Sequence, residues 1–91
     1  MKVSNQFVMR KIADECLLIP VGEAAMSMSG LIALSESGAL LFEKLQESCT
    51  EAELLEVLLA EYDVDPETAK ADLDAFLEKM RQLSILLEED R

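Results

Sequence analysis

The sequence predicts an α+β fold, a small three-stranded antiparallel sheet followed by three helices. Two observations carry that prediction. Apolar residues fall in short runs bounded by turn formers up to about Ser35, and recur at spacings of three and four after it. The helical half also opens on recognisable capping sequences, the clearest being Thr50-Glu51-Ala52-Glu53.

Taken in chain order, Phe7 to Ile12 alternates in part and predicts a first strand over about 7–13, and Cys16 to Val21 predicts a second over about 16–21. Ala13-Asp14-Glu15 is the turn between them. Pro20 and Gly22 end the second strand. The segment from Ala25 to Ser29 alternates as well, and Ser29-Gly30 allows a reversal into a third strand over about 31–34. A strand this short, reached last, is expected at a sheet edge, where its free amides and carbonyls can accept an extended peptide. Met26 and Met28 are first expected as gap-fillers in a small core.

Three helices follow, over about 36–47, 51–62 and 66–83. Ser35 is placed to cap the first, which turns Leu41, Phe42, Leu45 and Cys49 to one face. Thr50 and Glu53 form a capping box for the second, with Leu54, Leu55, Leu58, Leu59 and Tyr62 inward. Asp65-Pro66-Glu67 supplies an N-cap, a proline at the first helical position and an acid near the positive end of the dipole. The stripe of this third helix is Ala69, Leu73, Phe76, Leu77, Met80 and Leu83. Ile85-Leu86-Leu87 is apolar enough to pack back, and Glu88 to Arg91 is expected to fray.

Length and composition narrow the function. A chain of 91 residues with 51% hydrophobic content has room for one domain, here residues 1–91, and only a modest core. The chain contains no histidine, so it lacks the usual general base and the commonest metal ligand. No cofactor is expected. Cys16 and Cys49 form no Cys-x-x-Cys pair, and no secretory pattern opens the chain, so they are expected to be reduced in the cytoplasm. No lysine, arginine or histidine adjoins Cys49 to activate it, which argues against a thiol enzyme. Asp63-Val64-Asp65 alternates carboxylates, but a calcium loop would need glycine and glutamate where Thr68 and Asp74 stand. No apolar stretch approaches the ~20 residues that cross a bilayer.

The net charge of −11 arises entirely after Ser35, because residues 1–35 balance Lys2, Arg10 and Lys11 against Asp14, Glu15 and Glu23. Residues 50–80 hold ten acids against Lys70 and Lys79. Such helices repel phosphate backbones and anionic membranes, which excludes nucleic acid and membrane as partners and favours basic ones.

With the elements placed, the chain resembles the PqqD family, whose members are precursor-peptide recognition elements of ribosomally made natural products. The resemblance rests on Phe7 with Arg10, on Ala13-Asp14-Glu15, and on Leu18-Ile19-Pro20-Val21-Gly22. The family's Leu-Asn-Glu-Thr-Gly signature is represented by Leu34-Ser35-Glu36-Ser37-Gly38, and its acidic-Tyr-x-Val-Asp turn by Glu61-Tyr62-Asp63-Val64-Asp65. Asp72 with Phe76-Leu77 completes it, while Phe42 stands where many members have tryptophan. The resemblance implies a winged helix-turn-helix-like fold and a non-catalytic module that binds a leader peptide by strand addition to the third strand, in a groove closed by the third helix, and delivers it to a maturation enzyme such as a radical SAM protein or a leader peptidase. The implied peptide-binding residues are Gly30, Leu31, Ile32, Ala33 and Leu34, with Asp72, Phe76 and Lys79 on one flank of the helix. Lys70, Leu77 and Arg81 form the alternative flank. The rival reading is an acidic adaptor or a winged-helix regulator bound to a folded partner. The free strand edge leaves both a monomer and a homodimer open.

Overall fold

The computed structural model describes residues 1–27 and 31–87. Strands β1 (Lys2–Val3), β2 (Phe7–Ile12) and β3 (Glu15–Pro20) come first, then a short helix α1 (Glu23–Ser27) and strand β4 (Ile32–Leu34). Helices α2 (Glu36–Lys44), α3 (Glu51–Glu61) and α4 (Pro66–Gln82) follow, and β5 (Leu86–Leu87) is the last element of the described residues. The predicted third strand is therefore β4, and the predicted helices are α2, α3 and α4. β2, β3 and β4 form an antiparallel sheet in that order, with β4 at an edge as expected.

The hairpin turn is one residue shorter than the sequence predicts. Ala13 and Asp14 alone reverse the chain, both at positive φ, and Glu15 is already paired with Ile12. Two successive left-handed residues make the turn whose twist suits a right-handed hairpin. This turn fixes the hydrogen-bonding parity of the whole sheet. Ile12–Glu15 is a bonded pair, and alternation makes Arg10–Leu17 and Val8–Ile19 bonded pairs as well. The amide of Val21 donating to the carbonyl of Gln6 at 2.7 Å continues the same series. Phe7–Pro20 falls between bonded pairs, so the missing amide of Pro20 costs that ladder nothing.

Segment 25–29, expected to be extended from its alternation, is in part helical. Gly22 takes φ +61 and turns the chain, after which the Ala24 amide donates to the Gln6 side-chain oxygen at 2.8 Å and starts α1. Met26 points outward and is 88% exposed, so it fills no core gap. Met28, the reversal at Ser29-Gly30, and Glu88 to Arg91 lie outside the described residues.

Helix α2 stops at Lys44, three residues short of the prediction, because the chain tightens through Gln46 and Glu47 and the first strand docks there. The Val3 amide donates to the Leu45 carbonyl, and the Cys49 amide to the Met1 carbonyl. Cys49 thus leaves the helical face on which it was placed and sits half-buried beyond it. Thr50 and Glu53 form both bonds of the capping box, at 3.1 and 2.8 Å. Asp65 is the N-cap residue of α4 but makes no side-chain capping bond. Leu59, expected inward, lies at the exposed rim of α3.

The core joins the inner face of the sheet to the helices. Phe7 and Leu18 share the core with Leu41 and Phe42 of α2, Leu45 just past its end, Leu54 and Leu58 of α3, and Leu73, Phe76, Leu77 and Met80 of α4. The apolar tail packs back as expected: β5 pairs with β1, Val3 opposite Leu86, and Ile85 is fully buried.

Candidate functional site

The parity set by the hairpin decides what the edge strand offers. On β3, Glu15, Leu17 and Ile19 turn their main-chain groups to β2, so Cys16 and Leu18 turn theirs to β4. Their partners, Leu34 and Ile32, are spent on that ladder. Ala33, opposite Leu17, directs its amide and carbonyl away from the sheet, and by the same alternation so does Leu31. Side chains divide the same way. Ile32 and Leu34 are half-buried and packed against the core, whereas Leu31 is 56% exposed and Ala33 is exposed.

Beside this edge lies a groove of about 360 Å³. Ala33 and Leu34 form its strand side, Ser35, Ser37 and Gly38 its floor at the start of α2, and Asp72, Ala75, Phe76 and Lys79 its helix side. The Ser35 hydroxyl caps α2 by accepting the Gly38 amide at 3.1 Å. A Cβ at Gly38 would lie 3.2 Å from the Ser35 hydroxyl, a tight contact with the capping group, and at an ordinary packing distance of 3.5 Å from the Phe76 ring. Phe76 is 9% exposed, its ring shared between core and groove.

The structure brings Leu34, Ala33, Asp72, Phe76 and Lys79 together around one cavity. The alternative flank is differently placed. The Lys70 ammonium lies 3.2 Å from Asp74 and 3.7 Å from Glu51, Arg81 pairs with Glu78 at 3.5 Å, and Leu77 is buried. Asp74 holds Lys70 charged by hydrogen bond and by its negative charge, and Glu51 adds to it. Gly30 lies outside the described residues.

A second cavity of about 280 Å³ continues past the end of β4, and sequence reasoning did not find it. Leu58, Tyr62 and Val64 supply its apolar wall, and Ser35, Glu36, Ser37 and Asp72 its polar one. The residues come from three elements and the turn between α3 and α4, so no local pattern signals the site. The Tyr62 phenol is pushed up first by burial, then by Glu36 and Glu61.

Burial, and after it Glu53, push the Cys49 thiol up, away from the reactive thiolate, and its Sγ donates to the Lys44 carbonyl at 3.2 Å. Among the described residues no three His, Cys, Asp or Glu side chains cluster as metal ligands do, and no helix is long and apolar enough to cross a membrane.

Residues 16–86 match the family described as coenzyme PQQ synthesis protein D (PqqD). Among solved structures, TbiB1 in complex with the TbiA(beta) leader peptide superposes with a TM-score of 0.76 at 26% identity, all of both chains being covered. A lasso peptide synthetase B1 complexed with its leader peptide superposes with a TM-score of 0.73 at 16% identity over 96% of each chain. The sheet followed by helices is the fold of both. No curated protein matches the chain.

Proposed function

The chain belongs to the PqqD family, and on that premise we propose that it recognises the leader segment of a ribosomally made precursor peptide and presents it to a modifying enzyme. The observation that carries this reading is the open edge of β4, with Ala33 directing an amide and a carbonyl outward beside the groove of α4. An extended peptide gains main-chain hydrogen bonds along such an edge and places alternate side chains against the helix. TbiB1, similar over its full length at 26% identity, is a protein whose structure holds a leader peptide.

On this reading residues 1–91 act as one recognition module. Within the segment from Gly30 to Leu34, Leu31 and Ala33 pair with the leader through their outward amides and carbonyls, and Asp72, Phe76 and Lys79 receive its side chains. The module works by affinity and positioning. Holding the precursor beside its maturase raises the local concentration to the millimolar range of linked binding. The enzyme partner is one that acts on precursor peptides, such as a radical SAM protein or a leader peptidase. No observation favours the adaptor or the DNA-binding regulator, and ten acids in residues 50–80 oppose phosphate contact.

Calorimetric titration with the leader of the precursor peptide encoded beside this chain's gene tests the proposal. Saturable one-to-one binding is expected, whereas absence of binding at high micromolar peptide would refute it for that pair.

A further inference from the structure

The groove differs in charge from one end to the other. Asp72 borders both cavities, Lys79 only the one beside β4, so the axis runs from the Glu36–Asp72 end near Ser35 to the Lys79 end near Ala33. Asp72 and Lys79 are seven positions apart on α4, a rise of about 10 Å. That distance spans about three residues of an extended strand.

These charges are unspent. Every other described base on α4 has an acidic partner, Lys70 with Asp74 and Glu51, Arg81 with Glu78. Among the described residues the side chains of Glu36, Asp72 and Lys79 form no ion pair or hydrogen bond. A chain of net charge −11 that leaves its groove lysine without an acid has that lysine free for a ligand. At the opposite end, Leu58, Tyr62 and Val64 form an apolar wall below two carboxylates. Such a cavity fits a side chain with a long methylene stem and a cationic head. Tyr62 adds a ring face to which a guanidinium or ammonium is drawn.

We propose that the groove reads an extended peptide carrying one basic and one acidic side chain on the same face, the basic residue entering the Leu58–Tyr62–Val64 cavity beneath Glu36 and Asp72 and the acidic one meeting Lys79. This rests on the strand-addition reading and names the class of leader it selects. Same-face side chains recur at every second residue, so the two charges stand two to four residues apart, with the side chain over Phe76 apolar. Because the ends differ in sign, one order of the charges along the peptide is accepted and the other rejected.

The test is selection from a displayed library of linear peptides on the wild-type chain and on the doubly reversed D72K/K79E chain. Wild type is expected to enrich peptides with a Lys or Arg and an Asp or Glu two to four residues apart in one order, and D72K/K79E the opposite order. For a resynthesised wild-type peptide, D72N and K79Q are each expected to weaken binding about two- to fivefold, the range of exposed ion pairs. Both positions are exposed, and a thermal melt of each variant establishes folding. Apolar peptides enriched without a charge pattern, or one order on both proteins, overturn the polarity and leave strand addition standing. No enrichment on the wild type overturns both.

Discussion

Replacing Ala33 by proline tests the edge strand where its chemistry is most exposed. Ala33 lies opposite Leu17 in a non-bonded pair, so its amide takes no part in the β3–β4 ladder. Proline removes that outward donor and sets a ring where an added strand would approach, while edge strands tolerate proline whose missing amide faces solvent. One lost main-chain bond is worth about 1 kcal/mol, and the peptide carbonyl left facing the ring loses about as much again. The sum, about 2 kcal/mol, corresponds to roughly a 30-fold loss of leader affinity. Folding stability should change by less than about 1 kcal/mol, because strain and the stiffened unfolded chain act in opposite senses. Ile32→Pro is the internal contrast: Ile32 is bonded to Leu18 and half-buried, so the same residue one position earlier removes a ladder bond, about 1–2 kcal/mol, and apolar burial of about as much again, about 3 kcal/mol together. Urea unfolding and calorimetric titration read the two quantities separately. An A33P chain that folds and binds leader as tightly as wild type would refute strand addition at β4. An A33P chain as unstable as I32P would refute the register.

Three further outcomes follow from particular contacts. Phe76→Ala should lower the unfolding free energy by about 3 kcal/mol in urea, since the ring is buried among core side chains, and should weaken leader binding as the groove loses its apolar wall. Thr50→Ala should cost about 1 kcal/mol of stability by chemical denaturation and leave leader affinity unchanged, because the capping box is remote from the groove. Tyr62, the chain's only tyrosine, should titrate in near-ultraviolet absorbance above the ordinary value of about 10, and Glu36→Gln should bring it part of the way back. The folded chain holds the phenolic proton more tightly than the unfolded one. The stability linked to that proton is therefore fully present below about pH 10 and lost as pH rises through the folded value, with no effect near neutrality.

What could be read from the sequence follows from how local each cause is. Thr50 with Glu53, and Ser35 before its helix, carry caps within four residues, and the structure forms both. The stripe from Ala69 to Met80 is one face of one helix, and all five of its buried positions were readable from spacing. Segment 25–29 misled because its alternation is indifferent to period over so few residues, and the Gln6 side chain that starts α1 is 18 positions away. β1 and β5 have two residues each and exist only because they meet. Their pairing joins the chain's two ends, which no local pattern encodes. The same holds at the site. Asp72, Phe76 and Lys79 share a flank by spacing alone, but which flank faces β4 depends on how α4 lies across the sheet. The cavity at Tyr62 needed residues from α2, α3 and α4 at once.

Addition of a leader to the outward side of β4 is read out by amide-resolved hydrogen exchange of the labelled protein with and without the leader peptide. The amide of Ala33, with that of Leu31, should become protected on binding, while those of Ile32 and Leu34, already bonded to β3, should hardly change. Chemical shifts should move at Asp72, Phe76 and Lys79 and stay still at Lys70 and Arg81. Saturable binding that leaves the Ala33 amide exchanging freely would rule out strand addition at β4.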